Sequence, residues 1–313
     1  MTCSAFDVTS QVLLQSDIWR AVVLPRKGGN LVSLIHRPSG LNVLRTPAQF
    51  GQLNEQPERY GIPILFLPNR IEDGTFTFEG RVYRFSLNDP MGRHNHLHGL
   101  VLGKSWDVIE QSKTHVLMQY RIAKTAGFPH ECTLQLAYRL GDDGLSQRMS
   151  VTNDSDLNMP VGLGYHTAFT MTKGSQVWPT VTNEQWEIIQ PRMLPSGRLI
   201  ELPKDILPFG DEQEVSLHCP MGIGEYAGQS LRGAVITHPT FKQAVIYEVD
   251  EQFKHWYFWN QGGRQGFFCV EPLTWMANAM NMALPASITG VQLLAHKATW
   301  SAMTQIRVQP INA

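Results

Sequence analysis

The sequence has no excess of charge of either sign. Its 313 residues include 26 Lys+Arg and 27 Asp+Glu, which gives a formal net charge of −1. A nucleic-acid-binding protein needs a basic surface that displaces counterions from phosphate groups. The charge balance therefore argues against nucleic acid as a partner.

Long apolar runs and targeting signals are also absent. The longest apolar stretches, such as residues 62–67, are far too short to span a bilayer, which takes about 20 residues. The N-terminal residues MTCSAFDVTSQVLLQ contain neither a basic leader nor the apolar core of a secretory signal. These absences predict a cytoplasmic protein with no membrane partner.

Cysteine is scarce and scattered. Cys3, Cys132, Cys219 and Cys269 never form a C-x-x-C pair, which argues against a zinc ribbon and a disulfide framework. Cys132 and Cys269 lie in apolar, strand-like runs, so we expect buried, unreactive thiols there.

The sequence does contain the periodicity of β-strands. Apolar and polar residues alternate within residues 115–122, 131–140 and 298–308, which predicts strands with one face on a core. Residues 62–67, 244–249 and 267–270 are continuously apolar and indicate strands covered on both faces.

Turns and short helices complete the predicted architecture. Residues 75–78 and 81–85 flank a Gly-containing turn and predict a hairpin, and only residues 47–59 and 274–282 suggest short helices. Many short strands separated by turns favour an all-β fold, a large antiparallel β sandwich with few short helices. We expect one domain over residues 1–313.

Three histidines alternate in the segment that contains His94, His96 and His98. On an extended strand they would share a face and could hold zinc. Proline and glycine residues bound the segment, however, and no carboxylate follows at a matching spacing. We therefore predict no metal site and favour a polar loop with one functional histidine.

Three more polar residues adjoin apolar strands. His166, flanked by aromatic residues, would by itself be taken as a core histidine. Glu271 follows four apolar residues, which is costly unless the carboxylate is paired, exposed or functional. Arg70 could bind a polyhydroxylated ligand, although an ion pair with Glu72 or Asp73 is the simpler interpretation.

Several aromatic side chains could offer a flat apolar surface to a sugar ring. Most tryptophans in a β protein belong to the core, so this signal alone decides nothing. The residues are Trp106, Phe128, Tyr165, Trp256, Trp259 and Trp275.

Taken together and in order, these segments resemble the aldose 1-epimerase (galactose mutarotase) family over most of the chain. The family fold is a large antiparallel β sandwich, the galactose mutarotase-like supersandwich. The matching segments are Pro68-Asn69-Arg70-Ile71, Gly74-x-Phe76, Gly80-x-x-Tyr83, Asn88, Leu97-His98-Gly99 with Gly103 and Trp106, Tyr165-His166, Val270-Glu271-Pro272 and Thr289-Gly290.

The resemblance implies a role for each matching residue. Glu271 corresponds to the general base that takes the proton from the anomeric hydroxyl, and His166 to the general acid that protonates the ring oxygen. Arg70 and His98 correspond to residues that bind the sugar. Ring opening, rotation about C1–C2 and reclosure interconvert the anomers, and no cofactor is needed.

The chain departs from the family pattern at a few positions. Leu100 replaces a frequent second glycine, and Thr167 replaces a frequent proline. Many members select the sugar with an Asp in a late loop, for which Glu225 is our first candidate and Asp211 the second. His96 and Trp275 complete the predicted substrate-binding set.

The expected function is anomer interconversion of a free hexose, a small-molecule sugar, by a monomer or homodimer. One alternative is a hexose-6-phosphate 1-epimerase, since Arg59, Arg93 and Lys104 lie near the matching motifs. Another is a non-catalytic carbohydrate-binding or sugar-sensing protein, although such a protein has no need for an acid–base pair. A metalloenzyme built on the three alternating histidines would lose its metal to a chelator, and a glycosidase would need a second carboxylate.

Overall fold

The computed structural model describes residues 11–311, and Cys3 lies outside them. Regular structure in this part of the chain is almost entirely β-strand. Its two α-helices are short, α1 (Phe50–Glu55) and α2 (Ala286–Thr289). The all-β prediction is therefore confirmed. Within residues 11–311, no helix has both the length and the apolar character that crossing a bilayer requires.

A nine-stranded antiparallel sheet forms one large layer of the molecule. Its alternating strands are those that the sequence predicts, because the apolar side chains of one parity face the core. In spatial order the strands are β10 (Asp107–Gln111), β11 (His115–Ile122), β12 (Cys132–Gly141), β13 (Gly144–Asn153), β29 (Thr299–Pro310), β25 (Gln243–Val249), β24 (Gly233–His238), β17 (Gln176–Pro179) and β20 (Phe209–Gly210).

A second sheet of six strands carries most of the candidate site. Its central strand is buried on both faces, as its continuous apolar sequence predicts. The strands are β21 (Ser216–Pro220), β26 (His255–Trp259), β27 (Phe267–Leu273), β15 (Gly164–Tyr165) and β5 (Ile64–Leu65), with β16 (Thr167–Thr170) also paired to β27.

Smaller sheets surround these two. A four-stranded sheet contains β1 (Val12–Gln15), β2 (Trp19–Leu24), β3 (Asn30–His36) and β4 (Leu41–Asn42). The two-stranded pairs are β6 (Arg70–Glu72) with β9 (Asn95–Leu97), β7 (Thr75–Phe78) with β8 (Arg81–Arg84), β14 (Met159–Val161) with β28 (Gln292–Leu294), β18 (Glu184–Ile189) with β19 (Leu194–Glu201), and β22 (Gly224–Tyr226) with β23 (Gln229–Leu231).

The main apolar core lies between the two large sheets. Leu136 and Tyr247 from the nine-stranded sheet belong to the same buried cluster as Phe258, Phe268 and Val270 from the six-stranded sheet. Each Å² of apolar surface removed from water contributes about 25 cal/mol of free energy, which favours this packing. Consequently the opposite face of the six-stranded sheet is free to form a cleft.

Several local predictions need correction. The apolar run 62–67 forms only the two-residue strand β5, followed by an isolated bridge from Phe66. Residues 274–282 contain one 3₁₀ turn, Ala279–Asn281, in place of the predicted helix. The predicted hairpin is confirmed as β7–β8, and residues 47–59 contain α1 and a 3₁₀ turn, as expected.

Candidate active site

A cleft of about 240 Å³ opens between the six-stranded sheet and the β6–β9 ribbon. Four of the seven predicted site residues line it: Arg70, His98, His166 and Glu271. The remaining lining residues are Glu58, Arg59, Asn69, Pro90, Met91, Arg93, Leu97, Met193, Ser216, Tyr257 and Trp259.

Glu271 lies on the central strand of the sheet. Side chains alternate along β27, so Phe268 and Val270 enter the main core while Glu271 faces the cleft. Its side chain is only 2% exposed. A carboxylate in such a position is costly unless it has a partner.

The partner is His166, which lies directly opposite on the neighbouring chain segment. Gly164 pairs with Leu273, and Thr167 pairs with Val270 in the same register, which places His166 across from Glu271. Pro272 has no N–H to continue the ladder here. His166 Nε2 lies 3.2 Å from Glu271 Oε1.

Burial sets the protonation of this pair. Desolvation raises the pKa of Glu271 well above its usual value, and the positive charge of Arg70 opposes that shift. Desolvation also lowers the pKa of His166 to about 3, with the charges of Arg59 and Arg70 acting in the same direction. Burial thus favours the state in which the pair holds one proton, and that proton can lie on Oε1 or on Nε2 without changing the net charge of the pair.

Arg70 is held by a carboxylate that the sequence analysis does not single out. Its Nε donates to Asp89 Oδ2 over 2.8 Å, and the two side chains are 10% and 0% exposed. The expected partners Glu72 and Asp73 instead bind Arg192. The structural ion pair exists, but its partner comes from a loop 19 residues further along the chain.

His98 enters the cleft from a sharp turn. Its backbone has φ of +66°, and Gly99 follows with φ of +75°. A Cβ on Gly99 would lie 2.1 Å from backbone atoms of Phe66 and Leu67, so only glycine fits. The His98 ring meets the His166 ring edge-on at 5.3 Å. Burial, with the charges of His166 and Arg70, lowers the pKa of His98 well below its usual value, so a neutral imidazole faces the cleft.

His96, a predicted substrate-binding residue, lies outside the cleft. In the β6–β9 register it is opposite Ile71, whose side chain is buried on the other face of the ribbon. Its Nδ1 lies 2.8 Å from the carbonyl oxygen of Ser86, and its ring stacks on Phe85. Strand alternation that brings Arg70 and Leu97 into the cleft necessarily turns His96 away from it.

Trp275 and both late-loop candidates also lie elsewhere. Trp275 is buried, and its Nε1 donates to the carbonyl oxygen of Pro68. Glu225 is exposed on the β22–β23 hairpin. Asp211 accepts the backbone N–H of Gly266 and so fixes a loop. None of the three belongs to the lining of the cleft.

The structure adds cleft residues that the sequence analysis did not assign to the site. Trp259, one of several aromatic candidates, takes the place expected for Trp275 and meets His166 edge-on at 5.8 Å. Tyr257 and Ser216 complete this wall, with their hydroxyl oxygens 3.2 Å apart. Tyr257 and Trp259 lie two residues apart on β26 and thus share a face, which is the signal that could have found them.

The histidine segment does not form a metal-binding cluster. His94 and His98 both have positive φ and flank β9, so the three rings do not share a strand face. In residues 11–311, the side chains close enough to surround one ion are His166, Cys269 and Glu271, with donor atoms within 4.8 Å of one another. Two of these three form the proton-sharing pair described above. Cys132, Cys219 and Cys269 are all buried, as the sequence predicts for Cys132 and Cys269.

Comparisons with known proteins agree with this fold. The sequence matches the family described as Aldose 1-epimerase over residues 10–307. The uncharacterized protein YihR of Escherichia coli strain K12 is 24% identical over 229 residues, which cover 69% of this chain and 70% of YihR. A galactose mutarotase-like protein from Clostridium acetobutylicum superimposes with a TM-score of 0.89 at 28% identity, covering 96% of this chain and 95% of that one.

The fold is thus a galactose mutarotase-like β sandwich with a buried histidine–glutamate pair in its cleft. The chain belongs to the aldose 1-epimerase family.

Proposed function

We propose that the protein is an aldose 1-epimerase that interconverts the α and β anomers of a free hexose. The observation that carries this proposal is the 3.2 Å contact between His166 Nε2 and Glu271 Oε1 in the cleft. The reaction must move one proton off O1 and another onto O5. Both oxygens are bonded to C1, so the two groups that serve them must lie close together.

In the proposed reaction, the Glu271 carboxylate takes the proton from the O1 hydroxyl. The C1–O1 bond becomes a carbonyl, the C1–O5 bond breaks, and O5 receives the proton of the His166 imidazolium. Rotation about C1–C2 presents the other face of the aldehyde, and the same transfers in reverse close the ring. Carbon is neither oxidised nor reduced, so the balanced reaction uses only these two groups.

The required charge state is accessible from the resting pair. Burial favours a neutral carboxylic acid beside a neutral imidazole. Moving their shared proton from Oε1 to Nε2 gives the carboxylate and imidazolium without adding charge to the cleft. Arg70, beside the pair, favours the ionised carboxylate. In this proposal Arg70 and the neutral His98 hold the sugar oxygens.

The charges around the cleft support an uncharged hexose over a hexose 6-phosphate. Arg59 contacts Glu58 at 3.3 Å, while Arg70 and Arg93 contact Asp89 at 2.8 and 3.4 Å. Each cleft arginine thus already contacts a carboxylate, with Arg70 and Arg93 sharing that of Asp89, so an incoming phosphate would compete with existing ion pairs. Weak inhibition by inorganic phosphate would agree with this assignment, and tight competitive inhibition would favour the phosphorylated substrate.

The test is polarimetry of freshly dissolved α-D-glucose and α-D-galactose. We expect wild type to accelerate mutarotation, and Glu271→Gln and His166→Asn each to lose at least about 100-fold of that acceleration. Glu184→Gln and His94→Asn are matched controls, because both side chains are exposed and lie outside the cleft lining. Addition of a chelator should change nothing. Wild-type protein that accelerates neither sugar would contradict the proposal.

A further inference from the structure

The catalytic pair belongs to a longer row of side chains that crosses the six-stranded sheet. Tyr257 on β26 is directly opposite Glu271, just as His166 is on the other side. Directly opposed side chains in an antiparallel pair have Cβ atoms about 5 Å apart. The sheet therefore places the Tyr257 side chain beside Glu271, on the side away from His166.

Tyr257 reaches a second hydroxyl in the cleft. Its Oη lies 3.2 Å from Ser216 Oγ on β21, and both residues line the cleft. Tyr257 is 6% exposed, so its position is set by packing. Each hydroxyl has one donor and two acceptor lone pairs. Their mutual bond uses one donor and one lone pair, which leaves one donor and several acceptors for a ligand.

Holding the sheet together does not require this contact. Strands β21 and β26 are already paired over five residues, from Ser216 opposite Trp259 to Pro220 opposite His255. The two hydroxyls meet diagonally on the cleft face of that pairing. A pair of hydroxyl groups on the cleft face can instead hydrogen-bond to a polar ligand in the cleft.

We propose that Tyr257 and Ser216 form a hydroxyl subsite that binds a sugar hydroxyl other than the anomeric one. The position fits because O1 and O5 lie at the His166–Glu271 pair, so the rest of the ring extends along the row toward Tyr257. Both groups are uncharged, so they select a neutral hydroxyl. The preferred substrate is a neutral aldopyranose that carries a hydroxyl at this position. This inference rests on the proposed function.

The experiment combines variants with sugars that lack one hydroxyl. Tyr257→Phe and Ser216→Ala are assayed with glucose, galactose and the 2-, 3-, 4- and 6-deoxy derivatives of glucose. Tyr226→Phe, on the β22–β23 hairpin outside the cleft, is the matched control. KM and kcat are measured by polarimetry, and affinity for the same sugars by calorimetry. Thermal unfolding verifies that each variant is folded.

We expect Tyr257→Phe to raise KM for glucose about fivefold to tenfold, the effect of one uncharged hydrogen bond, with kcat nearly unchanged. One deoxy sugar should show the same loss with wild type and no further loss with Tyr257→Phe, since the partner hydroxyl is already missing. Ser216→Ala should give the same pattern with a smaller loss. Tyr226→Phe should match wild type.

Other outcomes overturn the inference. An equal loss for every deoxy sugar would mean that Tyr257 contacts no sugar hydroxyl. A fall in kcat with unchanged KM would mean that Tyr257 acts through Glu271. If wild type binds sugars but does not interconvert them, the proposed function fails, yet the affinities across the deoxy series still decide the subsite. Absence of measurable sugar binding would overturn both.

Discussion

The substitution Asp89→Asn tests how Arg70, the arginine proposed to bind the sugar, is held. The Asp89 side chain is completely buried and accepts three donors: Arg70 Nε at 2.8 Å, Arg93 Nη1 at 3.4 Å and Asn95 Nδ2 at 2.9 Å. Asparagine has nearly the same shape but removes the negative charge, so the buried Arg70 guanidinium loses its counter-ion. It also turns one acceptor oxygen into an N–H donor that faces other donors.

Removing one partner of a buried ion pair costs about 3–5 kcal/mol, because the remaining charge stays desolvated. We expect the lower end, about 3 kcal/mol of unfolding free energy, since Arg70 borders the cleft and retains 10% exposure. Asp73→Asn is the matched control. It also removes a carboxylate from an arginine, Arg192 at 2.7 Å, but the Asp73 side chain is 62% exposed, so its loss should stay within about 1 kcal/mol.

Urea unfolding followed by tryptophan fluorescence measures both changes. If Asp89→Asn and Asp73→Asn cost the same within about 0.5 kcal/mol, the reasoning from burial is wrong. A second readout is KM for the hexose, which should rise because Arg70 is no longer oriented. A destabilised variant with an unaltered KM would show that Asp89 supports the fold but does not position Arg70.

Three further predictions concern the same cleft. The His166–Glu271 pair holds one proton in this proposal, so kcat/KM should fall below about pH 3, where His166 also becomes protonated. It should fall again above the raised pKa of Glu271, where the pair loses its proton. A loss of activity on acidification from pH 7 to pH 5, after subtraction of the uncatalysed rate, would contradict this. Gly99→Ala should lower the free energy of unfolding by well over about 2 kcal/mol, because its Cβ would lie 2.1 Å from backbone atoms. The control Gly92→Ala, also at positive φ but in open space, should cost only the backbone strain of about 1–2 kcal/mol. Thermal unfolding measures both. Trp259→Ala should raise KM for hexoses by removing an apolar wall of the cleft; equal KM values would show that this ring does not contact the sugar.

The architecture could be predicted from the sequence because burial of one face leaves a pattern. Strands such as β11 and β12 alternate apolar and polar residues, and the structure places them as expected. Where both faces of a segment are covered, a continuous apolar sequence does not distinguish a strand from a buried loop. Residues 62–67 therefore predict a longer strand than the two-residue β5 that the structure contains. The 3₁₀ turn Ala279–Asn281 lies in a segment fixed by long-range contacts, such as Asn278 N–H to the Arg70 carbonyl oxygen.

Sequence motifs indicate which residues share the cleft only where the motif residues themselves face it. Arg70, His98, His166 and Glu271 do so. His96 lies outside the cleft because its strand parity is opposite to that of its neighbour Leu97, which lines the cleft. Glu225 was assigned to the late loop by position along the chain, which carries no information about where a hairpin lies. Pairings such as that of Tyr257 with Glu271 depend on sheet register between distant segments, which one sequence does not specify.

The two walls of the cleft are fastened to the molecule very differently. Strand β27, which carries Glu271, is hydrogen-bonded on both sides and every one of its residues is buried. Arg70 and the turn at His98 belong to the two-stranded β6–β9 ribbon. Amide hydrogens of β27 should therefore exchange with solvent only when the whole sandwich opens, whereas those of the ribbon exchange through smaller, cheaper openings. Sequence changes in the ribbon can therefore adjust the Arg70 side of the cleft while the His166–Glu271 pair stays fixed.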